Sequence, residues 1–303
     1  MNQSNLKKLQ NLLKEKDTDI FVINRSDEYL NEYISPNAER LNFITNFSGS
    51  AGRAIITPTD AFLYVDGRYT FQANTQINAK EIQAKHLNNF WTDLEKILLE
   101  EEYKIALDPT LHSIIEIEKV EKMLENSTSQ LQLIDKNFVD LIWENQPKTQ
   151  YTDIFDHPTS FAGQGRREKL DILKKFLDQN EIDHYFVSGL DNIAWLLNLR
   201  ADDIKYTPLL YSYLLISKNN KHSLYIKESS MPEILKKEIQ TLININNIEN
   251  IGSIFNNINS SESIGLDFNS TTYYFLDLLR KQKMYSKNLA NPCILLKAIK
   301  NET

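Results

Sequence analysis

One side chain in this sequence is set up for recognition chemistry. Arg68 follows an Asp66-Gly67 turn and precedes Tyr69, where a helix reads as starting. A guanidinium presents a planar fork of donors that can hold a carboxylate or a peptide carbonyl at two points. A plainer role is equally open, since an arginine here can pair with Asp66. Other constellations are poor. His86, His112, His157, His184 and His222 are scattered, with no H-E-x-x-H pattern and no paired spacing. Asp202-Asp203 is a carboxylate pair. Adjacent residues on a strand or loop point different ways, so solvation or ion pairing accounts for it. No Ser-His-Asp or Cys-His set can be argued. Ser48-Gly49-Ser50-Ala51-Gly52 has the composition of a phosphate cradle, but it lacks the Lys-Ser/Thr ending and leads into a strand rather than a helix. It reads as a tight turn. Gly163-Gln164-Gly165 lacks the third glycine of a dinucleotide fingerprint.

The elements that must position Arg68 are legible. Arg53–Thr57 and Ala61–Asp66 are rich in Val, Ile, Tyr and Phe and flank the Thr57-Pro58-Thr59-Asp60 turn, which predicts a hairpin. Leu6, Leu9, Leu12 and Leu13 predict a helix over residues 5–16 that packs its stripe on a sheet. Asp19–Ile23 reads as a buried strand. The same order recurs downstream. Leu170, Leu173, Phe176 and Leu177 repeat the leucine spacing, and Asp183–Val187 repeats the strand. Asp27 matches Asp191 in register, and Phe43–Phe47 matches Trp195–Leu199. Ile105–Asp108 matches Ile264–Asp267, each leading into a helical pattern. Two copies at so long a period mean a duplicated domain rather than a solenoid. The mixed periodicities point to an α/β class, each copy a mixed sheet flanked by helices.

In the second copy, Leu209–Ser217 and Ser223–Lys227 predict a hairpin around residues 218–221, with helices over Met231–Leu242 and Thr271–Lys283. Apolar periodicity lapses near Asn145–Gln164, where Pro147, Pro158 and Gly163 punctuate the chain. We therefore expect a first domain over residues 1–148, a linker over 149–162 and a second domain over 163–303. Trp143 is expected to anchor the last helix of the first domain.

The chain has 303 residues, a length that suits about two domains. Its 41% apolar and 25% charged content is ordinary for a globular protein. The net charge of −7 argues against a nucleic-acid footprint, which needs a basic face. Cys293 is the sole cysteine, so no intrachain disulfide can form and a reducing cytoplasm is expected. No apolar run approaches the roughly 20 residues that span a bilayer, so no membrane partner is expected.

Several of these motifs together resemble a known family. The segments are Glu28-Tyr29-Leu30, Asn31–Pro36, Phe47-Ser48-Gly49-Ser50-Ala51-Gly52, Asp66-Gly67-Arg68-Tyr69, Val139–Trp143, Asp191–Arg200 and Lys297–Asn301. In colinear order they resemble the two N-terminal domains of Xaa-Pro aminopeptidases (aminopeptidase P) of the larger, three-domain kind. The resemblance implies two creatinase N-terminal-like domains and a chain that stops before a catalytic pita-bread domain. Full-length members remove the N-terminal residue from peptides with proline in second position. They use two divalent metal ions (manganese) held by two Asp, one His and two Glu in that catalytic domain, so no metal ligand or cofactor is assigned to this chain.

The resemblance also implies that this region caps the active site, supports a homodimer and meets its own catalytic domain. It gives Arg68 a substrate contact. The segment Arg200–Pro208 is expected near the catalytic domain, with Asp203 and Tyr206 either shaping the cleft or packing between domains. Two other readings stay open: a stand-alone binding or assembly module from a split or truncated gene, and the N-terminal half of a creatinase- or prolidase-like hydrolase.

Overall fold

The computed structural model describes residues 3–303, and the chain divides between Thr149 and Gln150 into two compact units. In the first unit, helix α1 (Asn5–Glu15) is followed by strand β1 (Ile20–Asn24), α2 (Arg40–Thr45), β2 (Gly52–Ile56) and β3 (Ala61–Val65). Next come α3 (Thr70–Gln76), β4 (Gln83–His86), α4 (Phe90–Glu100), β5 (Lys104–Leu107), α5 (Ile114–Leu124), β6 (Gln130–Leu133) and α6 (Phe138–Ile142).

The strands form a six-stranded sheet in the order β4-β3-β2-β1-β5-β6. The β1-β2-β3 ribbon is antiparallel, and β4, β5 and β6 each join a parallel neighbour. The predicted turn at Thr57–Asp60 closes the β2–β3 hairpin, with Thr57 N donating to Asp60 O and Asp60 N to Thr57 Oγ1. Strand β1 is buried along its whole length, as expected of a central strand. Phe21 and Ile23 share a core with Leu6, Leu9 and Leu13 of α1 and Leu41 of α2. Each such buried leucine contributes about 2 kcal/mol. Ser4 caps α1, its hydroxyl accepting from Lys7 N, which starts the helix where the leucine stripe starts.

The second unit opens with β7 (Phe155–Asp156), α7 (Thr159–Ala162), α8 (Arg166–Gln179), β8 (His184–Val187), α9 (Leu190–Leu197), β9 (Leu199–Arg200), β10 (Tyr213–Ser217) and β11 (Ser223–Ile226). It continues with α10 (Glu233–Gln240), β12 (Asn244–Asn247), β13 (Ser263–Leu266), α11 (Tyr273–Lys281), β14 (Tyr285–Asn288) and α12 (Pro292–Ala298). Its sheet runs β12-β11-β10-β8-β13-β14, with the same pattern of parallel and antiparallel neighbours as the first. The repeat read from the sequence is thus a repeat of topology, and the fold is α/β with two mixed sheets. Tyr185 and Val187 face the α8 and α9 leucines, while Phe186 faces the other way onto Tyr213, Phe255 and Phe275.

Even the turns are repeated. Asp108 Oδ1 accepts from Thr110 N and its Oδ2 from Asn137 Nδ2, while Asn137 caps α6. Asp267 Oδ1 accepts from Asn269 N and its Oδ2 from Asn291 N, while Asn291 caps α12. The Asp27–Asp191 match does not carry a shared role. Asp27 is buried and accepts from the backbone of Tyr29 and Asn31, whereas Asp191 lies in the first turn of α9 and pairs with Lys297.

The stretch read as a linker, residues 149–162, carries structure: β7 pairs with β9, and Ile154 is buried with its N–H on Ser230 O. Trp143 stacks on Phe43 at 4.4 Å between ring centroids, just past the end of α6.

Candidate functional site

Arg68 sits in a single 3-10 turn, Gly67–Tyr69, that runs directly into α3. Asp66 caps the turn. Its Oδ1 accepts from Arg68 N at 3.0 Å and from Arg68 Nε at 2.8 Å. These bonds hold the Asp66 carboxyl below its ordinary range. Binding Nε fixes the plane of the guanidinium, which also lies 5.5 Å from the centroid of the Tyr69 ring. Both Nη atoms stay unpaired among the described residues, and the side chain is 72% exposed. The ion pair with Asp66 therefore takes Nε alone and leaves the rest of the guanidinium exposed.

The small-residue turn holds this arrangement from behind. Ser50 Oγ lies 2.7 Å from Tyr69 Oη, a bond that lowers the phenol's pKa. Ser48 N donates to Gln76 Oε1, and Ser48 Oγ accepts from Gln72 and Gln76 of α3. Arg25 Nη1 donates to the Ser50 and Glu32 carbonyls, and its Nη2 pairs with Glu39. Phe47 is fully buried and meets Tyr69 edge-on at 5.8 Å. Its ring fills the space beside Gly49, where a Cβ would lie 2.2 Å from Phe47 Cζ. Gly49→Ala is therefore expected to displace the Phe47–Tyr69 pair and destabilise the first unit by about 2 kcal/mol. Urea denaturation measures this, and a change under about 0.5 kcal/mol would show that the loop gives way freely.

Asp203 is committed to its own loop. Its Oδ1 accepts from Thr152 N and Oγ1, and its Oδ2 accepts from Tyr211 N. Burial raises its pKa despite these bonds. Tyr206 stands at the tip of that loop, 90% exposed and in the left-handed region at φ 65°, closed by Thr207 N on Ile204 O. A groove of about 460 Å³ lies beside Thr59, Lys85 and Asp93, and one of about 420 Å³ beside Lys169, Trp195 and Leu296. Neither of these two grooves is lined by Arg68, Asp203 or Tyr206.

Residues 145–303, more than half of the chain, match the creatinase/prolidase N-terminal domain family, and residues 5–136 match a second description of the same domain. The chain belongs to the creatinase/prolidase N-terminal domain family. The two copies found in the sequence are two such domains. Curated relatives include a probable Xaa-Pro aminopeptidase P of Paracoccidioides brasiliensis, 34% identical over 238 residues, covering 77% of this chain and 38% of that protein. One from Sordaria macrospora is 35% identical over 240 residues, covering 76% and 38%. An X-prolyl aminopeptidase from Caenorhabditis elegans, described as a cytosolic enzyme with a di-nuclear active site, shares the fold. It superposes with a TM-score of 0.91 at 24% identity, over 98% of this chain and 51% of its own. The chain thus spans well under two thirds of the length of each of these relatives.

A di-nuclear metal centre does not fit the residues of this creatinase/prolidase N-terminal chain. Among the described residues no three His, Cys, Asp or Glu side chains gather as a ligand set. Three of the histidines are buried in fold-building roles. His112 Nδ1 lies on Asp108 O, His184 Nδ1 on Ser217 Oγ, and His222 Nδ1 accepts from Ser217 N. Burial lowers the pKa of all three, with His222 pushed down to about 4. Among the described residues no helix is long and apolar enough to cross a membrane. Sequence reasoning missed the Arg25 bracket and the Gln72–Gln76 clasp on Ser48. The i, i+4 spacing of those glutamines was the available signal.

Proposed function

We propose that this chain is the non-catalytic N-terminal region of an Xaa-Pro aminopeptidase. Its full-length form removes the first residue from peptides with proline in second position, using two manganese ions held outside these residues. In this reading the region caps the active site, confines it to free peptide N-termini and supplies Arg68 to the substrate. The protein is cytoplasmic and works as a homodimer. The observation that carries the substrate role is the Arg68 fork, pinned through Nε to Asp66 with both Nη atoms unpaired among the described residues and the side chain largely exposed. The similarity to Xaa-Pro aminopeptidase P relatives supports the reading of the parent as an aminopeptidase.

The test is Xaa-Pro peptide hydrolysis with added Mn²⁺, by this chain alone and by the same chain joined to its catalytic half. The chain alone is expected to release nothing. In the joined form Arg68→Ala is expected to lower kcat/KM about 30-fold, roughly 2 kcal/mol of a charge-assisted contact. Stability should stay within about 0.5 kcal/mol, as for other exposed sites. Unchanged kcat/KM would remove Arg68 from the substrate. Metal-dependent release by the chain alone would place an active site within these residues.

A further inference from the structure

Exposed apolar side chains gather at one place in the second unit. Phe161 of α7 and Ile299, just past α12, are each 70% exposed, and Phe155 of β7 is 46% exposed. A chain of contacts joins them. Phe155 stands opposite Arg200 across the β7–β9 pair, so the two side chains leave the same face. Asp156 turns the other way and pairs with Arg166. His157 N donates to Asn198 O, and the His157 ring lies 6.1 Å from that of Phe161. Ala162 O accepts from Asn301 Nδ2, and Ala162 and Ile299 line the same groove of about 420 Å³. The cation on this face lacks a counter-charge. Half-buried Arg200 commits Nη1 to the carbonyls of Ala194 and Leu199, and among the described residues no carboxylate pairs with it. Desolvation lowers its pKa, and desolvation with the charge of Arg200 lowers that of His157. Clustered apolar groups around an uncompensated arginine are the composition of an interface rather than of a free surface.

We propose that this face, formed by Phe155, Phe161, Ile299 and Arg200, is where the catalytic half of the same enzyme rests, with a carboxylate of that half on the Arg200 guanidinium. This rests on the reading of the chain as the N-terminal region of a longer aminopeptidase. Under that reading the catalytic half follows residue 303, and Asn301 ties the preceding run to Ala162, next to Phe161. A tethered domain meets the surface beside its tether at high effective concentration, so an apolar face there is the first to be covered. Arg200 keeps Nε and Nη2 for a carboxylate, which a guanidinium holds at two points. A second copy of this chain fits less well. A two-fold contact would set this cationic face against itself and bring no carboxylate to Arg200.

The experiment is hydroxyl-radical labelling read by mass spectrometry, on this chain alone and on the same chain joined to its catalytic half. Labelling of Phe161 and Ile299 is expected to be about fivefold slower in the joined form, the change from 70% exposure to the burial of an interface core. Phe155 should slow with them. Phe161→Asp changes an exposed site, so the fold of the chain alone survives it. In the joined form it sets a carboxylate against the one proposed to approach, and is expected to return Phe155 and Ile299 to the labelling rate of the chain alone. Phe161→Leu should keep the protection. Arg200→Gln retains N–H donors for the α9 carbonyls without the charge, and is expected to lift about half of the protection. Full protection in that variant would remove the carboxylate from the contact. Labelling unchanged on joining would overturn the docking face, while Xaa-Pro hydrolysis by the same joined sample reports separately on the aminopeptidase reading. Protection that appears in the chain alone and grows with its concentration would assign the face to self-association and overturn the proposal.

Discussion

Arg40→Ala is expected to destabilise the first unit by about 3 kcal/mol, with Arg40→Lys recovering little of it. Arg40 begins α2 and is 5% exposed. Its Nε and Nη2 grip both oxygens of Asp140 on α6, at 2.8 and 3.0 Å, and Nη2 also reaches Glu28 at 3.1 Å. Alanine removes the cation and strands the carboxylates it served. Asp140 and Glu28 are 30% and 39% exposed at the side chain, so water offsets part of that cost. The estimate is accordingly placed at the low end of what breaking a buried pair does. Lysine keeps the charge but cannot bond both carboxylate oxygens in one plane.

The consequence reaches Arg68, because α2 ends in Asn46 in the left-handed conformation and leads through Phe47 into the Ser48–Gly52 turn. Urea denaturation of the two variants measures the loss. A change under about 1 kcal/mol for Arg40→Ala would show that the pair is energetically neutral here.

The second large effect is at Lys169, and it is pH-dependent. This lysine of α8 is 1% exposed. Its Nζ donates to Trp195 O at 2.7 Å and Asn198 Oδ1 at 2.6 Å, at the C-terminal end of α9, and lies 4.5 Å from the Trp195 ring centroid. The helix end and the ring face attract a cation. No carboxylate is among the groups acting on it. Desolvation, with Arg200 and Arg166 adding repulsion, pushes its pKa down to about 8.

The folded state thus binds this proton less tightly than the unfolded state, where lysine titrates near 10.5. Between about pH 8 and 10.5 the unfolded chain holds more protons, so this site's contribution to stability rises with pH across that window and is flat below it. Lys169→Met keeps the volume and removes the charge, and is expected to abolish that rise. Lys169→Ala is expected to cost about 3 kcal/mol at pH 7, through a cavity and the Asn198 Oδ1 acceptor left without its donor. Denaturation at pH 7.5 and 10 reads both. An identical pH dependence in wild type and Lys169→Met would show that the ammonium titrates as in water.

The repeat, the fold class and the central strands were legible in the amino-acid order, because those segments are apolar and their burial is written in side-chain periodicity. The runs at Asp19–Ile23 and Asp183–Val187 became β1 and β8, buried throughout. The hairpin strands were placed to within a residue or two at Arg53–Thr57, Ala61–Asp66 and Ser223–Lys227. At Leu209–Ser217 the strand begins later, at Tyr213, because the residues before it close the Asp203 loop.

The edge strands could not be read. Gln83–His86, Gln130–Leu133, Asn244–Asn247 and Tyr285–Asn288 are polar or mixed and partly exposed. They become strands because a neighbour offers its backbone donors and acceptors in parallel register, and a residue's own side chain carries no record of that offer.

The same division holds at the site. Sequence placed Arg68 beside Asp66 after a turn and, through its resemblance, gave it a task. Only the tertiary structure decided that Nε alone is bound and that the rest of the fork stays exposed. Those facts depend on Ser48, Ser50, Gln76 and Phe47, residues brought against the Asp66–Tyr69 turn by packing and hydrogen bonds. Likewise, only packing made Arg40 and Lys169 buried cations with different partners. A charge's energy is set by what surrounds it in space, and the linear sequence fixes only what precedes and follows it.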